Sequence, residues 1–164
     1  MSPSDDLVSF RRAPAGLRRR PVREFARTLR DAVAGRRDFE CLIADDRELR
    51  RLNREFRGVD HATDVLSFPV EQRLRREDRR KRLSYLATLS PVQLGAIAIS
   101  ADRAAQQARE FGHSRLDEIR ILMLHGVLHL LGMDHETDRG AMARAEARWR
   151  RKLNLPAGLI ARTL

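Results

Sequence analysis

Cys41 is the only cysteine among the 164 residues. A lone thiol excludes an internal disulfide framework, a thiolate zinc knuckle and a CxxC redox pair, so a metal site in this chain must be built from histidine and carboxylate. Lysine is almost missing as well. Lys81 and Lys152 are the only two in a basic total of 33, and the rest is arginine. Aromatic residues make up 5% of the chain and are scattered, which withholds the usual mark of a base-stacking platform, aromatics interleaved with basic residues. The longest apolar stretch, residues 121–133, is interrupted by His125 and His129 and is too short to span a bilayer. Residues 1–10 carry Asp5 and Asp6 and no apolar run, so they do not read as a signal peptide. The expectation is a cytoplasmic chain with no membrane partner.

Hydrophobic residues make up 42% of the chain, enough to fill a core, and the length suits one domain over residues 1–164. The formal net charge is +10. Such a balance favours a polyanionic partner, RNA or DNA, over an ordinary acidic enzyme surface. Charge alone does not separate a bound polyanion from a solvated arginine-rich face.

The hydrophobic pattern mixes short strands with helices. Residues 7–11, 39–44, 63–68 and 93–100 read as strands, with Pro69 stopping the third and Gly95 marking a bulge or a close backbone approach in the fourth. Residues 14–21 read as a basic connection. Val22, Phe25, Ala26, Leu29 and Val33 form a helical stripe ending at Gly35. Asp45 with Glu48 and Ser114 with Asp117 are capping-box patterns that open helices, the first running through Phe56. Residues 101–111 form a helix closed by Gly112, and residues 136–152 a final amphipathic one. Residues 72–90, crowded with arginines, read as a basic loop or a short exposed helix. The fold class is therefore α+β: one small, mostly mixed β-sheet packed with about five helices. The segment after Ser114, apolar almost all round from 121 to 131, is its buried central helix.

That helix carries the chemistry, in the run HGVLHLLGMDH from His125 to His135. Residues four apart share a helical face, so His125 and His129 project together. Gly132 breaks the helix and lets the chain turn back, bringing His135 to the same point and placing a metal site at the helix end. Three imidazoles leave one tetrahedral position free, as a catalytic zinc requires, and zinc lowers the pKa of bound water to about 7. One zinc ion per chain is expected. Asp134 and Asp138 flank the third histidine and are candidates to orient an imidazole; Asp138 serves equally well in the first turn of the next helix. His61 and His113 match no ligand spacing and read as surface residues.

The spacing HxxxHxxGxxH is that of the metzincin proteases, but Gly126 stands where those enzymes carry the glutamate that acts as general base. A zinc metalloprotease lacking that base remains an alternative, as does a non-catalytic RNA-binding ribosome factor.

Together with LNREFRGVDHATDVLSFP at 52–69 and LGAIAIS at 94–100, the histidine run resembles the YbeY family of bacterial rRNA-maturation endoribonucleases. The resemblance implies a single-strand-selective, metal-dependent endoribonuclease acting in 16S rRNA 3′-end maturation and ribosome quality control. Its partners would be the 16S rRNA precursor, the small ribosomal subunit and ribosome-associated proteins. It implies zinc bound by His125, His129 and His135, and places the family's functionally important arginine, a catalytic residue, on Arg57. The chain departs from the family at Ala96, where an acidic residue usually follows the glycine, and in the arginine-rich residues 72–90.

Overall fold

A computed structural model describes residues 6–70 and 93–160. The basic segment 72–90 lies outside the described residues. Strand β1 (Val8–Arg11) is followed by helix α1 (Arg19–Ala32), β2 (Asp38–Ala44), α2 (Asp46–Arg57), β3 (Val65–Pro69) and β4 (Gln93–Ser100). Three helices complete the order: α3 (Ala101–Phe111), α4 (Arg115–Leu130) and α5 (Ala141–Lys152). The four strands form one mixed sheet in the order β1-β2-β4-β3. β1, β2 and β4 run parallel, and β3 pairs antiparallel to β4 along the edge.

Local chemistry starts the helices where the sequence predicts. The Asp45 carboxylate accepts from the Glu48 backbone N–H at 2.9 Å, and the Ser114 hydroxyl accepts from that of Asp117 at 3.0 Å. Each satisfies a donor that a helix N-terminus leaves without an internal partner. Three boundaries differ from the sequence reading. α1 begins at Arg19, because Pro21 sits in its first turn, where a missing N–H costs nothing. Pro69 is the last residue of β3 rather than its stop; β3 is an edge strand, where proline is tolerated. α5 begins at Ala141 and not near Glu136, because aspartate side chains and Gly140, at φ 87°, hold residues 134–140 in turns.

The two faces of the sheet are covered differently. Phe39, Cys41, Ile43, Ile97 and Ile99 join the main core, together with Val22 and Leu29 of α1 and the apolar body of α4. Ala44, Leu66 and Ala98 face the other way and are capped by Leu49 of α2. α4 is the centre of the molecule: α1, α3, α5, β3 and β4 all pack on it. Eleven of its sixteen residues are buried, His125 among them.

Gly95 satisfies both readings of its position. β4 carries one extra residue between the pairs Asp38↔Gln93 and Glu40↔Ala96, a bulge. At φ 142° a Cβ on Gly95 would stand 2.3 Å from the Phe68 carbonyl oxygen, so only glycine lets β3 come this close.

Candidate metal centre

Helix α4 ends by a turn that only its sequence order explains. Gly132, at φ 91°, follows the last turn, and its N–H donates to the His129 carbonyl while that of Met133 donates to Leu128. The reversal points the Met133 carbonyl back at the helix, where it accepts from His129 Nδ1 at 2.9 Å. Two residues later His135 reaches the same spot. The ring centroids of the three histidines lie 4.7, 5.5 and 5.6 Å apart. One ligating nitrogen from each falls within 4.8 Å of the others. The sequence-predicted triad is thus assembled, with His125 buried, His129 half-buried and His135 exposed.

The hydrogen bonds around the rings decide which nitrogens are free. His125 Nδ1 lies 2.8 Å from Oε2 of Glu146. A carboxylate and a carbonyl only accept, so Nδ1 of both His125 and His129 holds a proton, and Nε2 is the ligating nitrogen of each ring in its neutral form. Those two Nε2 atoms face each other at 3.1 Å. Burial, reinforced by the neighbouring His125 ring, pushes the His129 imidazole below its ordinary pKa despite the Met133 bond. That shift favours the neutral ring, the form that ligates a metal. Around a tetrahedral zinc with bonds of about 2.0–2.1 Å, two nitrogens stand about 3.3 Å apart. The donor set fits a divalent ion.

Glu146 was not legible as a site residue. It is 21 positions from His125, on another helix, and no motif spacing marks it. The two expected orienting carboxylates work elsewhere. Asp134 accepts from the Glu136 N–H at 3.1 Å, and Asp138 accepts from Gly140 and Met142 at 3.0 and 2.7 Å. Both hold the backbone of the turn that carries His135, not an imidazole. His113, read as a surface residue, is mostly buried and pairs with the buried Glu118. His61 is exposed, as expected.

Gly126 has a steric reason of its own. A Cβ there would lie 2.9 Å from Cγ2 of Ile97, because α4 lies directly on β4. The position faces the sheet, so a glutamate would point into the core and not toward the histidines. Ala96, where the resemblance leads one to expect an acidic residue, alternates to the opposite side of β4 from Ile97. It lies on the α2 side of the sheet, away from the metal helix.

The model of the endoribonuclease YbeY family matches residues 19–154, a span that includes α1, all three histidines, Arg57 and Glu146. The chain belongs to the YbeY family. It is 55% identical to the endoribonuclease YbeY of Solibacter usitatus over 161 residues, covering 98% of this chain and 97% of that one. The YbeY of Nautilia profundicola is 48% identical over 77% of this chain and 79% of its own length. That of Koribacter versatilis is 41% identical over 96% and 91%. The solution structure of a Thermotoga maritima protein shares the fold, with a TM-score of 0.55 and 21% identity over 87% of this chain and 85% of that one. Among the described residues no helix is long and apolar enough to cross a membrane.

Arg57, the remaining predicted site residue, is the last residue of α2 and is exposed. Other arginines in the last two turns of that helix are committed: Arg50 and Arg54 to Asp60, and Arg51 to Glu48 and Glu55. Arg57 faces no carboxylate among the described residues. Its neighbour Phe56 stacks edge-on against Phe68 of β3 at 5.4 Å. One residue before Phe68, the Ser67 hydroxyl donates to the Gly126 carbonyl. The helix end bearing Arg57 is thereby tied through β3 to the metal helix.

Proposed function

We propose that this YbeY-family chain is a single-strand-selective, metal-dependent endoribonuclease that acts in 16S rRNA 3′-end maturation and ribosome quality control. Zinc held by His125, His129 and His135 is its cofactor. The observation that carries the reading is the pair of Nε2 atoms converging at 3.1 Å beside a third, exposed imidazole. When bound, a zinc ion supplies a Lewis acid for a phosphate oxygen and lowers the pKa of a coordinated water.

The chain's own residues divide the remaining work. Glu146 and the Met133 carbonyl fix the tautomers of His125 and His129, so that the ligating nitrogens are available before any ion arrives. Asp134 and Asp138 shape the turn that presents His135. Cleaving a phosphodiester builds negative charge on the phosphate oxygens, and a guanidinium suits it because its planar fork reaches two oxygens at once. Arg57 is the cation for that role: exposed, without a carboxylate partner among the described residues, and mounted on a helix end anchored to β3. The exposed arginines draw the polyanion in without selecting a bond. The partners are the 16S rRNA precursor, the small ribosomal subunit and ribosome-associated proteins, and the location is the cytoplasm.

A protease is disfavoured by packing. The position that supplies the base in metzincins is occupied by the contact between Gly126 and Ile97. The test is metal analysis of purified protein, paired with incubation on single-stranded RNA, duplex RNA and an unstructured casein-like peptide. Zinc near one equivalent and cleavage of the single strand alone are expected. Undiminished RNA cleavage by chelator-treated, metal-free protein, or turnover of the peptide, would overturn the assignment. Binding of RNA without cleavage by the zinc-loaded protein would favour the non-catalytic ribosome factor.

A further inference from the structure

Glu146 is a buried carboxylate in an arginine-rich protein, yet its side-chain partner among the described residues is a histidine. Its side chain is 3% exposed. Oε2 meets His125 Nδ1 at 2.8 Å, and Oε1 accepts from the Ile160 backbone N–H at 2.9 Å. Both oxygens are therefore used, one on the metal helix and one on the segment that follows α5. A buried ionised carboxylate is costly unless it is matched by positive charge and hydrogen bonds. Glu48 shows the ordinary solution in this chain, with Arg11 at 2.9 Å and Arg51 at 2.6 Å. Among the described residues Glu146 meets no such arginine, and an imidazole polarised by a cation on its far nitrogen would meet the same need.

The segment 155–160 does more than donate one hydrogen bond. A Cβ on Gly158 would stand 2.1 Å from Oε1 of Glu146, 2.7 Å from Cδ and 2.8 Å from Cγ. The φ of Gly158 is not in the left-handed region, so glycine is required here by space alone. The backbone of residue 158 is pressed flat against the carboxylate, while Leu155 and Ile160 on either side are buried in the main core. The carboxylate has one place to go, and that place is against His125.

We infer that Gly158, Glu146 and His125 form a positioning unit, in which the segment after α5 clamps the Glu146 carboxylate and thereby sets the tautomer and ring orientation of a metal ligand 33 positions earlier in the chain. The inference rests on the three-histidine metal reading above. Glu146 and Gly158 touch neither ion nor substrate; they act through His125. Partners of this kind change metal affinity by about ten- to a hundredfold when removed.

The test uses full-length protein and four measurements. Zinc affinity is determined by competition with a chromophoric chelator for wild type, Glu146→Gln and Gly158→Ala. The visible spectrum of the cobalt(II)-substituted proteins reports ligand geometry. Thermal unfolding in excess chelator reports the metal-free fold. Zinc binding weakened about ten- to a hundredfold in both variants is expected, with an altered cobalt spectrum and a metal-free Glu146→Gln that still unfolds cooperatively. Wild-type affinity and an unchanged spectrum in folded Glu146→Gln would overturn the inference even if Gly158→Ala failed to fold. A readout on wild type decides independently of any variant. Long-range 1H–15N NMR of the metal-free protein should show His125 protonated on Nδ1, and an Nε2–H tautomer would overturn the inference. A wild-type protein that binds no divalent metal at all would instead sink the metal reading, which separates the two failures.

Discussion

The two ends of the histidine cluster are built on opposite plans. At one end His125 lies in the core, on a helix buried almost all round, with its ring held by Glu146 and Glu146 held by the backbone of residue 160. At the other end His135 stands exposed on a turn whose shape comes from aspartates bonded to its backbone. The buried end couples the site to the stability of the whole domain. The open end leaves a ligand where a long polymer can reach it, and its loss should cost function with little cost to the fold.

Substituting the two end histidines tests that contrast most strongly. His125→Ala should abolish zinc binding and also leave a buried oxygen of Glu146 without its hydrogen-bond partner, a defect worth about 1–3 kcal/mol. His135→Ala should also remove tight zinc binding but change the stability of the metal-free protein by no more than about 0.5 kcal/mol. Denaturant unfolding in the presence of chelator measures both, and equal stability losses would erase the distinction between the ends.

Arg57→Ala sharpens the comparison from the substrate side. Its expected effect is about a hundredfold loss in RNA cleavage, with zinc content and unfolding midpoint unchanged; loss of zinc would move Arg57 out of its assigned role. A smaller effect is expected for Asp138→Ala. It removes two bonds to the turn and should cost about 1 kcal/mol, the size of a lost cap, with a modest fall in zinc affinity through His135. An unchanged midpoint would show that the turn holds itself.

The smallest effect concerns Glu48, the buried carboxylate that does meet arginine. The Arg51 hydrogen bond, with Arg11 behind it, holds its pKa below the usual range. A depressed carboxylate contributes stability above its unfolded pKa of about 4.3, and that stability is lost as pH falls through the folded value. Glu48→Gln should therefore flatten the acid limb of a stability–pH curve below about pH 4.3 while leaving zinc binding untouched. Cys41 gives a check at the other extreme. Burial pushes its thiol up to about 12, so a thiol reagent at pH 8 should label it only after unfolding.

Much of this was legible in the sequence, for identifiable reasons. Strands at 39–44 and 93–100, the helix after Ser114 and its break at Gly132 follow from apolar period, caps and a glycine stop, all local signals. His125, His129 and His135 were legible because helical spacing and one turn bring them together over eleven residues. Glu146 was not, because its relation to His125 exists only once α5 packs on α4, and Gly158 only once the chain after α5 folds back. Asp134 and Asp138 were candidates to orient an imidazole, with a helix-start role open for Asp138, and sequence proximity does not choose between a ring and the nearest free N–H; in a tight turn the N–H is closer.

The strand order carries a consequence for how the domain is made. β4 is the partner of both β2 and β3, yet it is the last of the four strands among the described residues. While the polypeptide emerges, β2 and β3 have no common neighbour among the described strands until residues 93–100 arrive. The closing step of the sheet is thus a non-local one, of the kind that slows folding and leaves strand edges bare. The same strand then provides Ile97, the floor on which Gly126 of the metal helix rests. β4 precedes the ligand-bearing helix by fifteen residues, so the floor is already in the chain when α4 is made, and a fault in pairing β4 is passed on to the helix that carries the histidines.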